Sequence, residues 1–183
     1  MNTGRHTFYR VLLCFSFFLC AALCSGIGVA DAGEPGPQMK RIGMSFPELL
    51  HNLKANRPIT YDTLVGIGFS GMSVETSSNR VTYTDTDIEL ADGNILNKVE
   101  LRAYDGGSFL VVSFDEPTSK RAQLEAEFGV FHLFAAPRGK SIHEEIVYRN
   151  NTIENFTLMY GLDQTTREIR GFSIESVFPR SIE

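Results

Sequence analysis

The middle of the chain alternates apolar and polar residues with a period of two, and glycine-containing turns interrupt the alternation. Asp92-Gly93 is typical of a hairpin because both residues tolerate positive φ, and Asp105-Gly106-Gly107 marks a second turn. Between them, residues 95–104 place Val99, Leu101 and Ala103 on one face and Lys98, Glu100 and Arg102 on the other. This pattern predicts an antiparallel sheet with one face in the core and one face in water.

Similar segments on both sides of these turns predict the other strands. Alternation covers Val81, Tyr83, Ile88 and Leu90 before the first turn, and Leu110, Val112 and Phe114 after the second. Further strands are predicted at residues 145–149, 153–160 and 168–178, with a turn at Asn150-Asn151. We therefore expect an antiparallel β-meander of about six or seven strands.

Two short helices are predicted beside this sheet. Ser45 and Glu48 have the spacing of a capping box, which satisfies free amides at a helix N-terminus. The apolar residues that follow recur with helical spacing at Phe46, Leu49, Leu50 and Leu53, and Pro58 ends the helix. A second helix is expected over residues 118–128, closed by Gly129. The predicted fold class is α+β, with both helices packed on the apolar face of the sheet.

The N-terminal segment has the features of a secretory signal peptide. Arg5 and Arg10 precede an apolar run at residues 11–23, and Ala30-Asp31-Ala32 offers small residues for cleavage after Ala32. The run is shorter than the roughly 20 residues that span a bilayer, which favours export over retention as an anchor. We expect a signal peptide at 1–32, a flexible leader at 33–44 and a single α+β domain at 45–183.

The cysteines bear on the compartment. All three, Cys14, Cys20 and Cys24, lie in the segment that cleavage would remove. The mature chain would then contain no disulfide, thiolate nucleophile or cysteine-ligated zinc. Small secreted eukaryotic domains usually depend on disulfides, so this favours the bacterial periplasm, although Asn150 and Asn155 begin glycosylation sequons. The net charge of −5 gives little support for binding nucleic acid through a basic face.

A glycine-rich segment matches the spelling of a dinucleotide-binding fingerprint. It runs from Gly66 through Gly68 to Gly71. The fingerprint requires a helix after the third glycine, but residues 72–78 are rich in hydroxyl groups and poor in helix formers. Ser70 also lacks the glycine that a nucleophile elbow needs, because Met72 stands there. We interpret the segment as a bent or bulged connection.

The polar residues predict no catalytic or metal site. The expected domain contains three histidines, His51, His132 and His143. His143-Glu144 begins like a zinc-binding helix motif, but Val147 replaces its second histidine. His132 lies among aromatic residues and is expected to be partly buried. Glu144 and Glu145 are adjacent in a predicted strand, so their side chains should point to opposite faces. No cofactor is expected.

Two surface features are predicted to contact a partner. Asp85, Asp87 and Glu89 alternate along a predicted strand, which would place three carboxylates on one face. Calcium binding, a solvated acidic edge and an acidic stripe facing a basic cleft are the alternatives. The second feature is the loop with Arg138 and Lys140, which follows a cluster of phenylalanines.

These observations favour an exported periplasmic protein that is not an enzyme and binds another protein. One form of this hypothesis is an inhibitor or immunity protein that blocks a cell-envelope-directed enzyme with a basic cleft. An assembly module of outer-membrane machinery is a second hypothesis, and a small-ligand carrier or weak hydrolase is a third. No nucleic acid and no transmembrane segment in the mature chain are expected.

Overall fold

The structure, a computed structural model, describes residues 39–138 and 144–178. Three helices are present in these ranges: α1 (Phe46–Ala55), α2 (Tyr61–Gly66) and α3 (Arg121–Phe128). Nine strands form one sheet: β1 (Lys40–Ile42), β2 (Ser73–Ser77), β3 (Arg80–Leu90), β4 (Ile95–Tyr104), β5 (Gly107–Thr118), β6 (His132–Ala135), β7 (Glu145–Ile153), β8 (Phe156–Asp163) and β9 (Ile169–Val177).

The strand order is β1-β3-β4-β5-β9-β8-β7-β6, and β2 pairs with β3 beside β1. Every pairing is antiparallel except that of β1 with β3, which is parallel. The α+β class is confirmed, but the expectation of an antiparallel meander with six or seven strands is wrong, because the nine-stranded sheet is mixed. Two meanders, β2–β5 and β6–β9, meet through their last strands, so the sheet has an approximate twofold topology.

Helix α1 forms as its capping pattern predicts. The backbone N–H of Ser45 donates to Glu48 Oε2 at 2.7 Å, and that of Phe46 donates to Asp92 Oδ2 at 2.9 Å. The four predicted apolar residues of this helix are fully buried. Asp92 lies in the hairpin turn between β3 and β4, so the turn also caps the helix.

Two of the three helices differ from the sequence prediction. Helix α2 was not expected, because six residues are too few to show a helical period. It begins where the hydroxyl of Thr60 accepts from the N–H of Thr63 at 3.1 Å. Helix α3 starts at Arg121 and not at residue 118, because Thr118 still pairs with Ile169 in the sheet.

All three helices contact the same face of the sheet. The ring of Phe46 in α1 lies 5.4 Å from that of Phe114 in β5, and Phe128 in α3 stacks on Phe156 in β8 at 5.9 Å. Tyr61 in α2 stacks on Tyr83 in β3 at 4.4 Å. This face forms the hydrophobic core, and the opposite face of the sheet carries no helix among the described residues.

Two buried serines fix the connection between α1 and α2. Ser108 in β5 and Ser176 in β9 are cross-strand partners and are almost inaccessible to solvent. The Ser108 hydroxyl donates to the carbonyl of Ile59, and the N–H of Ile59 donates to Ser176 Oγ at 3.4 Å. The sheet thus satisfies both backbone groups of a buried loop residue, as burial requires.

The expected leader, residues 33–44, contains β1, which pairs with the C-terminal part of β3. The expected signal peptide, residues 1–32, lies outside the described residues. Among the helices that are described, none is long and apolar enough to cross a membrane.

Candidate functional site

The three acidic residues predicted as one stripe do not share a face. Asp87 has a φ of +55°, which interrupts the alternation of β3. Asp85 is in register with buried Val99, whereas Glu89 alternates with the buried residues Ile88 and Leu90. Two of the three carboxylates also have ion-pair partners on β1. Asp85 pairs with Lys40, and Glu89 accepts from Arg41 Nε at 2.7 Å.

The predicted contact loop is described only in part. Arg138 is exposed, and its backbone N–H donates to the Glu144 carboxylate. Lys140 lies outside the described residues. Of the nearby aromatic residues, Phe131 is buried, whereas Phe134 on β6 is 56% exposed.

Of the other sequence motifs, the glycine-rich segment and His132 lie in the described part of the chain, and His143 lies outside it. The segment from Gly66 to Gly71 leads into β2, a strand that was not predicted from the sequence, and Phe69 within it is buried. His132 is exposed, contrary to the expectation of partial burial, because β6 is an edge strand. Within residues 39–138 and 144–178, no group of three or more His, Cys, Asp or Glu side chains is arranged to hold a metal ion.

The helix-free face of the sheet is mostly polar, and we call it the open face. Its composition follows from the register, which aligns Thr84, Glu100, Val111, Ser173 and Met159 in one row across five strands. On each strand, the residues two positions before and after the member of this row point to the same face. They include Thr82, Thr86, Lys98, Arg102, Phe109, Ser113, Gly161, Gly171, Glu175 and Thr157.

An ion-pair cluster occupies the β4 part of the open face. The carboxylate of Glu100 pairs with both Lys98 and Arg102, and Glu100 is only 7% exposed. Burial by itself would raise the pKa of Glu100, but hydrogen bonds from Lys98 and Arg102 hold it below the usual value. The negative charge of Glu100 is therefore balanced by two positively charged side chains within the fold.

A groove of about 290 Å³ lies on the open face above β5, β9, β8 and β7. Gly161 and Gly171 are direct cross-strand partners, and the groove lies over this pair. A Cβ at Gly161 would coincide with the Glu145 carboxylate, and a Cβ at Gly171 would collide with the Val112 carbonyl. The groove thus exists because two adjacent strands lack side chains at the same level.

Glu145 extends from β7 over Gly161 and supplies a carboxylate to the groove. No described residue forms a hydrogen bond or ion pair with this carboxylate. Burial raises the pKa of Glu145; the positive charge of Arg170 opposes this, and the nearby Asp163 carboxylate adds to it. Glu145 is in this respect unlike the neutralised Glu100.

The arginine at the rim of the groove is already paired. Arg170 Nη2 donates to Asp163 Oδ2 at 2.7 Å, and its Nε donates to the same oxygen at 3.1 Å. Backbone N–H groups of Thr165 and Thr166 donate to Asp163 Oδ1 at 2.8 and 3.0 Å. Hydrogen bonds from Thr166, Arg170 and Thr165 lower the pKa of Asp163 to about 2. Asp163 therefore holds Arg170 in place.

This groove was not predicted from the sequence. Glu145 was considered only as a partner of the adjacent Glu144, and Gly161 and Gly171 are ten residues apart in the sequence. The site depends on the register that places Gly161 opposite both Val147 and Gly171. Gly171 inside one predicted strand and Gly161 directly after another were the available signal, because a glycine in a strand often marks a close approach of another group.

Comparison with protein-family models, with curated proteins and with solved structures gives no significant match.

Proposed function

We propose that this chain is an exported, non-enzymatic protein that binds another protein through the open face of its sheet. The observation that carries this proposal is the arrangement of the sheet, whose other face is covered by three helices while the open face presents a groove. The open face mixes polar and apolar side chains, and its Glu145 carboxylate has no ion-pair partner among the described residues. This composition is similar to that of a non-obligate protein interface.

The open face is large enough for a specific interface. Eight strand positions spaced by about 4.8 Å give a width of roughly 34 Å, and strands of about eight residues give a length near 26 Å. A standard interface needs about 800 Å² from each partner. The open face is of this size, so it could bind one partner without any contact from the helices.

The form of binding that we favour is inhibition of a cell-envelope-directed enzyme. A sheet held by hydrogen-bonded ladders loses little conformational freedom on binding, which favours affinity. Export to the periplasm is part of this proposal and rests on the N-terminal sequence. Asp85, Asp87, Glu89, Arg138 and Lys140 stay predicted partner contacts, although Asp85 lies on the opposite side of β3 from the open face.

A bulky substitution in the centre of the open face tests the proposal. Ser173→Trp would project a large ring from the middle row, and Ser78→Trp adds the same ring in the exposed turn between β2 and β3. We expect immobilised wild type and Ser78→Trp to capture the same protein from periplasmic extract, and Ser173→Trp to lose it. Equal capture by both variants would refute binding through the open face.

The edge strand β6 favours a second candidate, an envelope assembly module. Val130 is 69% exposed and Leu133 is 60% exposed, and no described strand pairs with the outer side of β6. Such an edge can add a strand from another chain. Membrane association that persists in high salt and is lost in Leu133→Lys would support this role, whereas release into the soluble fraction would support the inhibitor.

A further inference from the structure

The groove over Gly161 and Gly171 combines three properties that define the chemistry of its ligand. Its floor carries no side chain from Gly161 or Gly171, and the Glu145 carboxylate reaches over Gly161. Its sides include the apolar side chains of Val111, Val147 and Met159, which suit an aliphatic chain. Its charged groups determine the sign of the charge that the ligand carries.

Three charged side chains lie at the groove: Glu145, Asp163 and Arg170. Arg170 and Asp163 neutralise each other in their ion pair, and backbone N–H groups stabilise Asp163 further. The carboxylate of Glu145 has no such partner among the described residues. A group with one positive charge would therefore complete the electrostatics of the groove.

We infer that the groove receives a lysine side chain of the partner protein, with its ammonium group at Glu145 and its aliphatic stem between Val111, Val147 and Met159. The inference rests on the proposed function and names the chemistry of the partner. We favour lysine over arginine because an ammonium is a compact charge on a slender stem, whereas a guanidinium is a broader planar group. The neighbouring Asp163 carboxylate is occupied by Arg170.

Titration with Nα-acetyl-lysine amide, followed by ¹H–¹⁵N NMR, tests this inference on the purified protein. The uncharged control ligand is Nα-acetyl-norleucine amide, which has a similar stem without the ammonium group. Glu145→Gln removes the groove carboxylate, and Glu154→Gln makes the same change at an exposed position in the turn between β7 and β8. Both substitutions preserve side-chain size, so the folded spectrum should be retained.

We expect saturable shifts of the Val147, Gly161 and Gly171 amides with the lysine ligand in wild type and in Glu154→Gln. Glu145→Gln should weaken this binding by about ten-fold or more, because a charge-assisted hydrogen bond is lost. Absence of saturable shifts, equal binding of the norleucine ligand or of Nα-acetyl-arginine amide, or wild-type affinity in Glu145→Gln would each overturn the inference.

The failure of the inference can be distinguished from that of the proposed function. If Ser173→Trp abolishes partner capture while the lysine ligand does not bind the groove, only the lysine inference fails. If Ser173→Trp captures as wild type does, the protein partner at the open face is refuted, and any binding of the lysine ligand would be binding of a free amine.

Discussion

Asn150 uses both polar atoms of its side chain inside the fold. Its amide nitrogen donates to the carbonyls of Phe128 and Val130 at 2.9 and 2.8 Å, and its carbonyl oxygen accepts from the N–H of Thr152 at 3.0 Å. The residue is 2% exposed. It therefore joins the end of α3 and the approach to β6 with β7, and the sequon that it begins is inaccessible in the folded chain.

Asn150→Ala should lower the free energy of unfolding by about 2–4 kcal/mol, because it removes a buried side chain that donates to a buried and a partly buried carbonyl. Urea denaturation monitored by circular dichroism measures the effect. Asn151→Ala is the matched control, since Asn151 is exposed, and it should change stability by less than about 0.5 kcal/mol. Equal effects of the two substitutions would contradict the role of Asn150.

The two groove glycines should differ in their tolerance of alanine. A Cβ at Gly171 would collide with the Val112 carbonyl and lie 3.2 Å from Ser113 Cα, and this backbone belongs to a central strand. Gly171→Ala should therefore cost about 2–3 kcal/mol of stability. Gly161→Ala displaces only the end of the Glu145 side chain and should cost less than about 1 kcal/mol. Equal losses in chemical denaturation would argue against this difference.

Glu145 is expected to reduce stability at neutral pH. Because its pKa is raised in the fold by burial, folding disfavours the ionised form, even with the positive charges of Arg170 and Arg138 nearby; Asp163 and Glu144 are its acidic neighbours. Glu145→Gln should raise the melting temperature at pH 7. The gain should shrink as the pH falls through the raised pKa towards the ordinary value of 4.5, where the native carboxyl is protonated. A gain that is independent of pH in thermal unfolding would contradict this account.

At the scale of elements, a shared carboxylate attaches α3 to the sheet. The hydroxyl of Tyr160 in β8 donates to Glu125 Oε1 at 2.9 Å, and Arg121 Nε donates to the same oxygen at 2.8 Å. The Arg121 guanidinium also lies 5.0 Å from the ring centre of Tyr148 in β7. Burial would raise the pKa of Glu125, but these hydrogen bonds from Arg121 and Tyr160 lower it.

Tyr160→Phe should cost about 1 kcal/mol of stability at pH 7, because one hydrogen bond to a charged group is lost. The lowered pKa of Glu125 means that its contribution is present above the ordinary value of 4.5 and is lost as the pH falls through the folded value. The cost of Tyr160→Phe should therefore decrease in acid. Denaturation of both proteins at pH 7 and pH 3 measures this, and an equal cost at both values would count against the network.

The elements that the sequence predicted well have local signals. The capping pattern at Ser45 and Glu48 located α1, and strict alternation between two glycine turns located β4 with the bounds found in the structure. Helix α2 is too short to show a period, and β1 pairs with residues 48 positions away. The break in alternation at Asp87 could not be read from the alternating acids, because a positive φ at a non-glycine residue leaves no pattern in the sequence.

For the site, the sequence identified acidic and basic residues but did not show which residues they contact in the fold. The acidic residues of β3 were expected to be free, but Lys40 and Arg41 from an unforeseen strand pair with two of them. The groove depends on alignment of three strands, β7, β8 and β9, at one level. Register between strands is a tertiary property that hairpin turns fix only for immediate neighbours.

At the scale of the whole molecule, β9 is the strand on which both halves of the sheet depend. It pairs with β5 of the first meander and with β8 of the second. A chain ending at Asp163 retains the first meander and strands β6–β8 but lacks β9. We expect this fragment to lose cooperative thermal unfolding, as measured by calorimetry, because the hydrogen-bonding edges of β5 and β8 would be left unpaired. A sharp transition in the fragment would show that it folds cooperatively without β9.

The central position of β9 also sets the order of events during biosynthesis. A ribosome makes β9 after every other described element, so the edge of β5 stays exposed to wrong pairings until β9 has been translated. If the protein is exported as proposed above, this late closure would help to keep the chain unfolded during transport.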